Sequence, residues 1–181
     1  MPQLYRRTRE TKENYKLLLK KHLIPERDVS CLLWNAGSLN NKLQDLIALL
    51  EDEDLDVVAV TETWLASQHC NVTAELRNKG YHIYHFYRDV KKGGGVALIF
   101  KDNIKFVRGK TYSCDSFESI VVTIASRSVG TLNFVVIYRF CELAPNLFFT
   151  EFYRFIESIF IDSKNLILLW DFNLHVNDNY D

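Results

Sequence analysis

The sequence predicts a layered α/β domain whose sheet is mixed or folded into a sandwich. Three observations carry this. Short apolar runs such as "VVAVT" and "LILLW" read as strands buried on both faces. A strand–helix–strand spacing over residues 29–62 reads as a crossover unit. Between 81 and 139, strand-like segments follow one another over short turns and read as antiparallel hairpins.

In chain order, the start "YRRTRETKENYKLLLKKHL" reads as a basic helical leader, and Pro25 within "PERD" marks a boundary near residue 27. The domain proper is placed at 28–181. "VSCLLW" (29–34) is a strand. "SLNNKLQDLIALLEDED" is a helix, with Ser38 as its expected cap and Leu43, Leu46, Ile47 and Leu50 recurring at helical spacing. "LDVVAVTE" (55–62) is the second buried strand. After Trp64 the pattern loosens until the aromatic alternation of "YHIYHFYR" (81–88). The triple glycine "GGG" precedes the strand "VALIF" (96–100), and "FESIVVTIAS" (117–126) and "TLNFVVIYR" (131–139) follow, separated by a turn with Gly130. "NLFFTEFYRFIESIFI" (146–161) is a helix with Phe148, Phe152, Phe155, Ile156 and Ile159 on one stripe. "LILLW" closes the series at Trp170.

A chain of 181 residues that is 48% hydrophobic and 25% charged has enough material for one domain with a sizeable core. The 12 Phe and 9 Tyr favour sheet. No apolar run is long enough to span a bilayer, and the start lacks the apolar stretch of a secretory signal, so an intracellular place, nucleus or cytoplasm, is expected. The four cysteines form no CxxC pair and read as free or buried thiols. Net charge is −1, but residues 1–27 carry eight Lys/Arg against three Glu. That arm either meets an anionic partner or is a solvated leader. No His/Cys cluster indicates zinc. No GxSxG supports a serine hydrolase.

Four buried runs end in polar groups of restricted type: Asn35, Glu62, Tyr138 and Asp171, with Asn173 two residues further on. Functional groups gather where strand ends open onto loops. If these strands lie side by side, the groups share one cleft. Their chemistry suits hydrolysis of a phosphate ester with magnesium, which takes oxygen ligands and only one or two carboxylates from a protein. Glu62 is the expected metal carboxylate, with Asn35 orienting it or contacting metal-bound water. Asp171 is placed to orient or deprotonate a water, Asn173 to hold water or phosphate, and Tyr138 to donate to phosphate. Arg139 meets phosphate or is a surface stem. Glu118 faces the site or ends a solvated hairpin. The ordinary alternatives are strand-end charge for Glu62, an Asx turn for Asp171 and Asn173, helix entry for Asn35 and a core aromatic for Tyr138.

"WNAGSLNNK", "TETWL", "GGGVALIF", "VIYR" and "DFNLH", in that order and spacing, resemble the endonuclease/exonuclease/phosphatase superfamily, and within it the apurinic-like endonuclease domain of non-LTR retrotransposons. The resemblance covers about residues 29–176. It implies a four-layered α/β sandwich, two mixed sheets flanked by helices, and Mg2+- or Mn2+-dependent cleavage of a DNA phosphodiester. It implies Glu62 as metal ligand with Asn35 beside it, and Asp171, Asn173 and Tyr138 as the phosphate and nucleophile set. Gly93, Gly94 and Gly95 look structural on the same pattern. DNA, and a reverse transcriptase domain in a parent polyprotein, are the implied partners. Three departures stand out. Trp170 replaces the family's glycine and threatens to crowd Asp171. "YRFCELAP" replaces a proline-rich continuation. The family's closing strands and their Asp-His pair have no counterpart before Asp181, from which weak or lost activity and marginal solubility are expected. The alternatives are a non-catalytic remnant or nucleic-acid-binding module, or a phosphatase of the same superfamily.

Overall fold

The structure is a computed structural model and describes residues 4–5, 16–21, 29–66, 70–86, 93–126, 130–140, 145–160 and 165–173. Its elements are β1 (Leu4–Tyr5), β2 (Lys16–Lys21), β3 (Val29–Asn35), α1 (Leu43–Glu53), β4 (Val57–Thr61), α2 (Cys70–Asn78), β5 (Tyr81–Phe86), β6 (Val96–Lys101), β7 (Lys105–Ser113), β8 (Phe117–Ser126), β9 (Gly130–Arg139), α3 (Pro145–Phe160) and β10 (Leu166–Asp171).

Two mixed sheets form. The first runs β1-β2-β3-β4-β6-β5 and the second β10-β9-β8-β7. β3 and β4 are parallel across α1, and β9 and β10 are parallel across α3. The remaining pairs are antiparallel, including β5–β6 and the β7–β8–β9 meander. The sheets pack face to face: Val57, Ala59, Leu98 and Phe100 of one meet Ile120, Val122, Phe134 and Val136 of the other. Outside the first sheet, Leu46, Ile47 and Leu50 of α1 and Val72 and Leu76 of α2 cover Leu32, Val58 and Ile99. Outside the second, Phe148, Phe155 and Ile159 of α3 cover Phe117, Val135 and Ile137. Helix, sheet, sheet, helix: the four layers are those the resemblance implies. Each fully buried Phe among them contributes roughly 1.5–3 kcal/mol of transfer free energy.

Three expectations are corrected. Lys16–Lys21 is a strand on the edge of β3, not part of a leader helix. Consecutive leucines do not distinguish the two conformations, and the open edge of β3 supplies the backbone partners that decide it. Ser38 does not cap α1: the helix starts at Leu43, and Ser38 N–H and Leu39 N–H bond instead to the carbonyls of Glu62 and Thr63. α2 was not read from the sequence, because among its residues of described burial Val72 and Leu76 alone are buried and apolar. The loop at 141–144, most of the leader, and His22, His69 and His175 lie outside the described residues. Cys31 and Cys114 are free thiols, and burial pushes Cys31 up to about 12.

Candidate active site

Parallel pairing decides where the strand ends fall. In the first sheet Asn35 lies opposite Thr61, one residue before Glu62. In the second, Asp171 lies opposite Tyr138. Hydrogen bonds across the two sheets place these polar termini at one end of the sandwich. There they touch. Asn35 Nδ2 donates to Glu62 Oε1 at 2.9 Å and to Asp171 Oδ2 at 2.8 Å. Tyr138 Oη donates to the same Glu62 oxygen at 3.2 Å. Thr61 Oγ1, fully buried, donates to Asp171 Oδ2 at 3.1 Å. Thr61 was missed from the sequence; its only signal is its position opposite Asn35.

The amide orientation of Asn35 follows from these contacts. Its Oδ1 accepts the Gly37 N–H at 3.1 Å, and turning it over would press an oxygen against two carboxylates. Asn35 therefore offers nitrogen, not oxygen, to the cleft. In this orientation it stands beside Glu62 and orients both Glu62 and Asp171.

Glu62 and Trp64 sit in the left-handed backbone region, each at φ 51°. Such a conformation costs on the order of 1–3 kcal/mol and persists only where the surroundings impose it. Here two loops do so. Ala36 N–H and Ser38 N–H bond to Thr61 and Glu62 carbonyls, both at 3.0 Å. On the other side Thr63 N–H reaches Gly95 O at 3.1 Å and Trp64 N–H reaches Gly94 O at 2.9 Å. The glycines are needed for this. Gly95 has φ +88°, and a Cβ on it would overlap Thr63 Oγ1.

Glu118 and Arg139 are both buried, so neither is the solvated hairpin end or the surface stem offered as its alternative. Glu118 accepts the Gly95 N–H, which ties β8 to the glycine loop. Arg139, also buried, donates to the carbonyls of Phe172 (3.2 Å) and Asn173 (3.5 Å) and lies over the Phe148 ring. It holds the segment after β10. Asn173 has φ 46°, donates its N–H to Asp171 Oδ1 at 3.2 Å and its side-chain Nδ2 to Arg139 O at 2.9 Å. That is Asx-turn geometry, and it leaves Asp171 Oδ2 directed at Asn35 and Thr61. Trp170 does not crowd Asp171. Neighbouring strand residues point to opposite faces, and the indole lies outward, stacked on Phe172 at 5.1 Å and 16°.

Two half-buried carboxylates thus share one amide, and neither is ion-paired with a described Lys or Arg. Their donors are neutral. The charge that would balance them is absent from the described residues, and the donor set is all oxygen. This fits a hard divalent cation that keeps much of its own water. No group of three His, Cys, Asp or Glu that would make a softer, fully protein-ligated site exists among the described residues.

Residues 32–179 match the model of the Endonuclease/Exonuclease/phosphatase family. Over 107 residues the chain is 30% identical to the RNA-directed DNA polymerase from mobile element jockey of Drosophila melanogaster, covering 59% of this chain and 11% of that protein. Among solved structures, the 3′ phosphatase NExo from Neisseria bound to product DNA hairpin superimposes with a TM-score of 0.60 at 20% identity, covering 82% of this chain and 59% of that one. The human Nocturnin catalytic domain with bound sulfate gives 0.61 at 16% identity, over 80% and 63%. Danio rerio TDP2 complexed with a single-strand DNA product gives 0.54 at 13%, over 73% and 52%. The chain spans about a tenth of the curated relative and less than two thirds of each of these structures.

Proposed function

The chain belongs to the Endonuclease/Exonuclease/phosphatase family, whose members hydrolyse phosphate esters and diesters, and on that premise we propose that its site hydrolyses a DNA phosphodiester with a divalent cation, Mg2+ or Mn2+. The observation that carries this is the Glu62–Asn35–Asp171 bridge across the two sheets. It keeps two carboxylates, neither ion-paired among the described residues, within two hydrogen-bond lengths of each other, an arrangement that has no structural purpose a neutral pair would not serve better. The partial identity to a retrotransposon polymerase supports DNA as substrate and a reverse transcriptase domain as companion.

Glu62 would hold the cation, which when bound supplies positive charge against the phosphoryl oxygens. Asn35 and Tyr138 fix the Glu62 carboxylate in one rotamer by sharing its Oε1. Asp171, oriented by Thr61, Asn35 and the Asn173 N–H, takes the proton of the attacking water. The water oxygen bonds to phosphorus as the bond to the departing sugar oxygen breaks. The Asn173 amide keeps a second N–H beyond its bond to Arg139 O and would be a neutral donor suited to growing negative charge on the phosphoryl oxygens, while the Tyr138 hydrogen stays on Glu62.

The test is nicking of supercoiled plasmid by the purified chain. Weak nicking, read at high chain concentration, should need Mg2+ or Mn2+ and vanish with EDTA, and Glu62→Gln and Asp171→Asn should each abolish it. Equal nicking by the Glu62→Gln protein would overturn the assignment. So would turnover of phosphomonoesters alone, which would place the chain with the phosphatases of its family.

A further inference from the structure

The three tryptophans are treated unequally. Trp34 is buried in the core beneath α1, whereas Trp64 and Trp170 are 47% and 45% exposed. Trp170 has a ring partner in Phe172. Trp64 has none among the described residues, although it stands two positions after Glu62. Its indole Nε1 lies along Gly93, close enough that a Cβ there would come within 3.8 Å. Its backbone is held left-handed at φ 51° by the bond from its N–H to Gly94 O. A large aromatic residue is disfavoured in that region, and half its ring is in water. Neither packing nor local conformation explains the choice of tryptophan here. A flat, rigidly mounted and unstacked indole beside a phosphate-ester site is, however, what an unpaired base needs to stack on.

We propose that the Trp64 indole is the stacking surface for an unpaired nucleobase of the strand whose phosphodiester is held at Glu62 and Asp171. This deepens the nuclease reading above and rests on it. The glycine loop serves two ends in this scheme. It locks the Trp64 backbone, and Gly93 brings no side chain of its own to the indole Nε1 beside it. Trp170 faces the outer side of the second sheet and takes no part.

Binding is measured without turnover, in EDTA, by quenching of tryptophan fluorescence with a short single-stranded oligothymidylate. The wild-type chain should be quenched. Trp64→Ala should lose the quench and bind about tenfold or more weakly, the range for removal of one stacked base. Trp64→Phe should keep most of the affinity, and Trp170→Ala should bind as wild type. Trp64→Gly relaxes the backbone and should leave Tm unchanged or raised while still losing affinity, a combination that a purely structural tryptophan does not give. In Trp64→Ala, hydrolysis of bis(p-nitrophenyl) phosphate, which has no base to stack, should fall by less than the oligonucleotide affinity does. Unaltered oligonucleotide affinity in Trp64→Ala overturns the stacking proposal and leaves the nuclease reading standing. A wild-type chain that hydrolyses small esters but neither binds nor cleaves any polynucleotide overturns both.

Discussion

Asn35 and Asp171, 136 positions apart in the chain, meet at 2.8 Å across the gap between the two sheets. The same amide nitrogen also serves Glu62, so its loss removes the orienting donor of both carboxylates at once. Asn35→Ala should lower nicking by about 10²–10³, the usual cost of a preorganised donor, while lowering stability by only about 1–3 kcal/mol. Asn35→Asp replaces the donor with a third carboxylate. It should cost more stability than Asn35→Ala, because it adds repulsion to the lost hydrogen bonds. Thermal denaturation of the two variants checks this; equal losses would mean the three groups are not in contact.

The two carboxylates, neither ion-paired among the described residues, predict that cation binding stabilises the fold. At a Mg2+ concentration ten times its Kd, stability should rise by about 1.4 kcal/mol, read as an upward shift in Tm. Removing the cation with EDTA should reverse the shift. Glu62→Gln keeps the acceptor for Asn35 and Tyr138 but loses the charge, so its Tm should not respond to Mg2+.

The Glu118–Gly95 contact separates support from chemistry. Glu118→Gln keeps an oxygen for the Gly95 N–H and should retain most activity. Glu118→Leu strands that N–H in a dry site, at a cost of about 1–3 kcal/mol, and loosens the loop that holds Thr63 and Trp64. Gly95→Ala should be worse, by about 2 kcal/mol or more, since it adds both an overlap and a left-handed strain. Chemical denaturation orders the three.

The termini of the site were legible because they interrupt apolar runs: Asn35, Glu62, Tyr138 and Asp171 each stand where a buried strand stops, and a polar group there is conspicuous. Thr61 was not, because a buried threonine inside "VVAVT" is ordinary until the register sets it opposite Asn35. The directions of Glu118 and Arg139 were equally hidden. A strand-end charge reads the same whether it faces solvent or a backbone N–H beneath a glycine loop. β2 escaped because short leucine runs fit helix and strand alike, and only the unpaired edge of β3 chooses between them. Local pattern thus reports where strands end, and long-range pairing reports what their ends touch.

His85, on β5 opposite Ala97, has its pKa lowered from the ordinary histidine value by burial. A depressed folded-state pKa means that the unfolded chain takes up the proton first. The contribution of neutral His85 is therefore present above about pH 6.5, the unfolded value, and is lost as pH falls through the lower folded one. Stability should decline below pH 6.5 in the wild type, and His85→Gln should flatten that part of the profile. A wild-type curve that is level from pH 7 to 5 would contradict it.

Trp170 tests whether departure from a family pattern disables a site. The sequence alone makes a large residue beside Asp171 look obstructive. In the structure the strand alternation turns the indole outward onto Phe172, while Asp171 keeps its bonds from Asn35, Thr61 and the Asn173 N–H. Trp170→Gly should therefore change nicking by no more than about twofold, well under what loss of one catalytic donor costs. It should lower stability by about 1–2 kcal/mol, from a lost ring contact and a glycine within a strand. A large gain in activity would mean that the indole constrains Asp171 after all, through the backbone they share and not through contact.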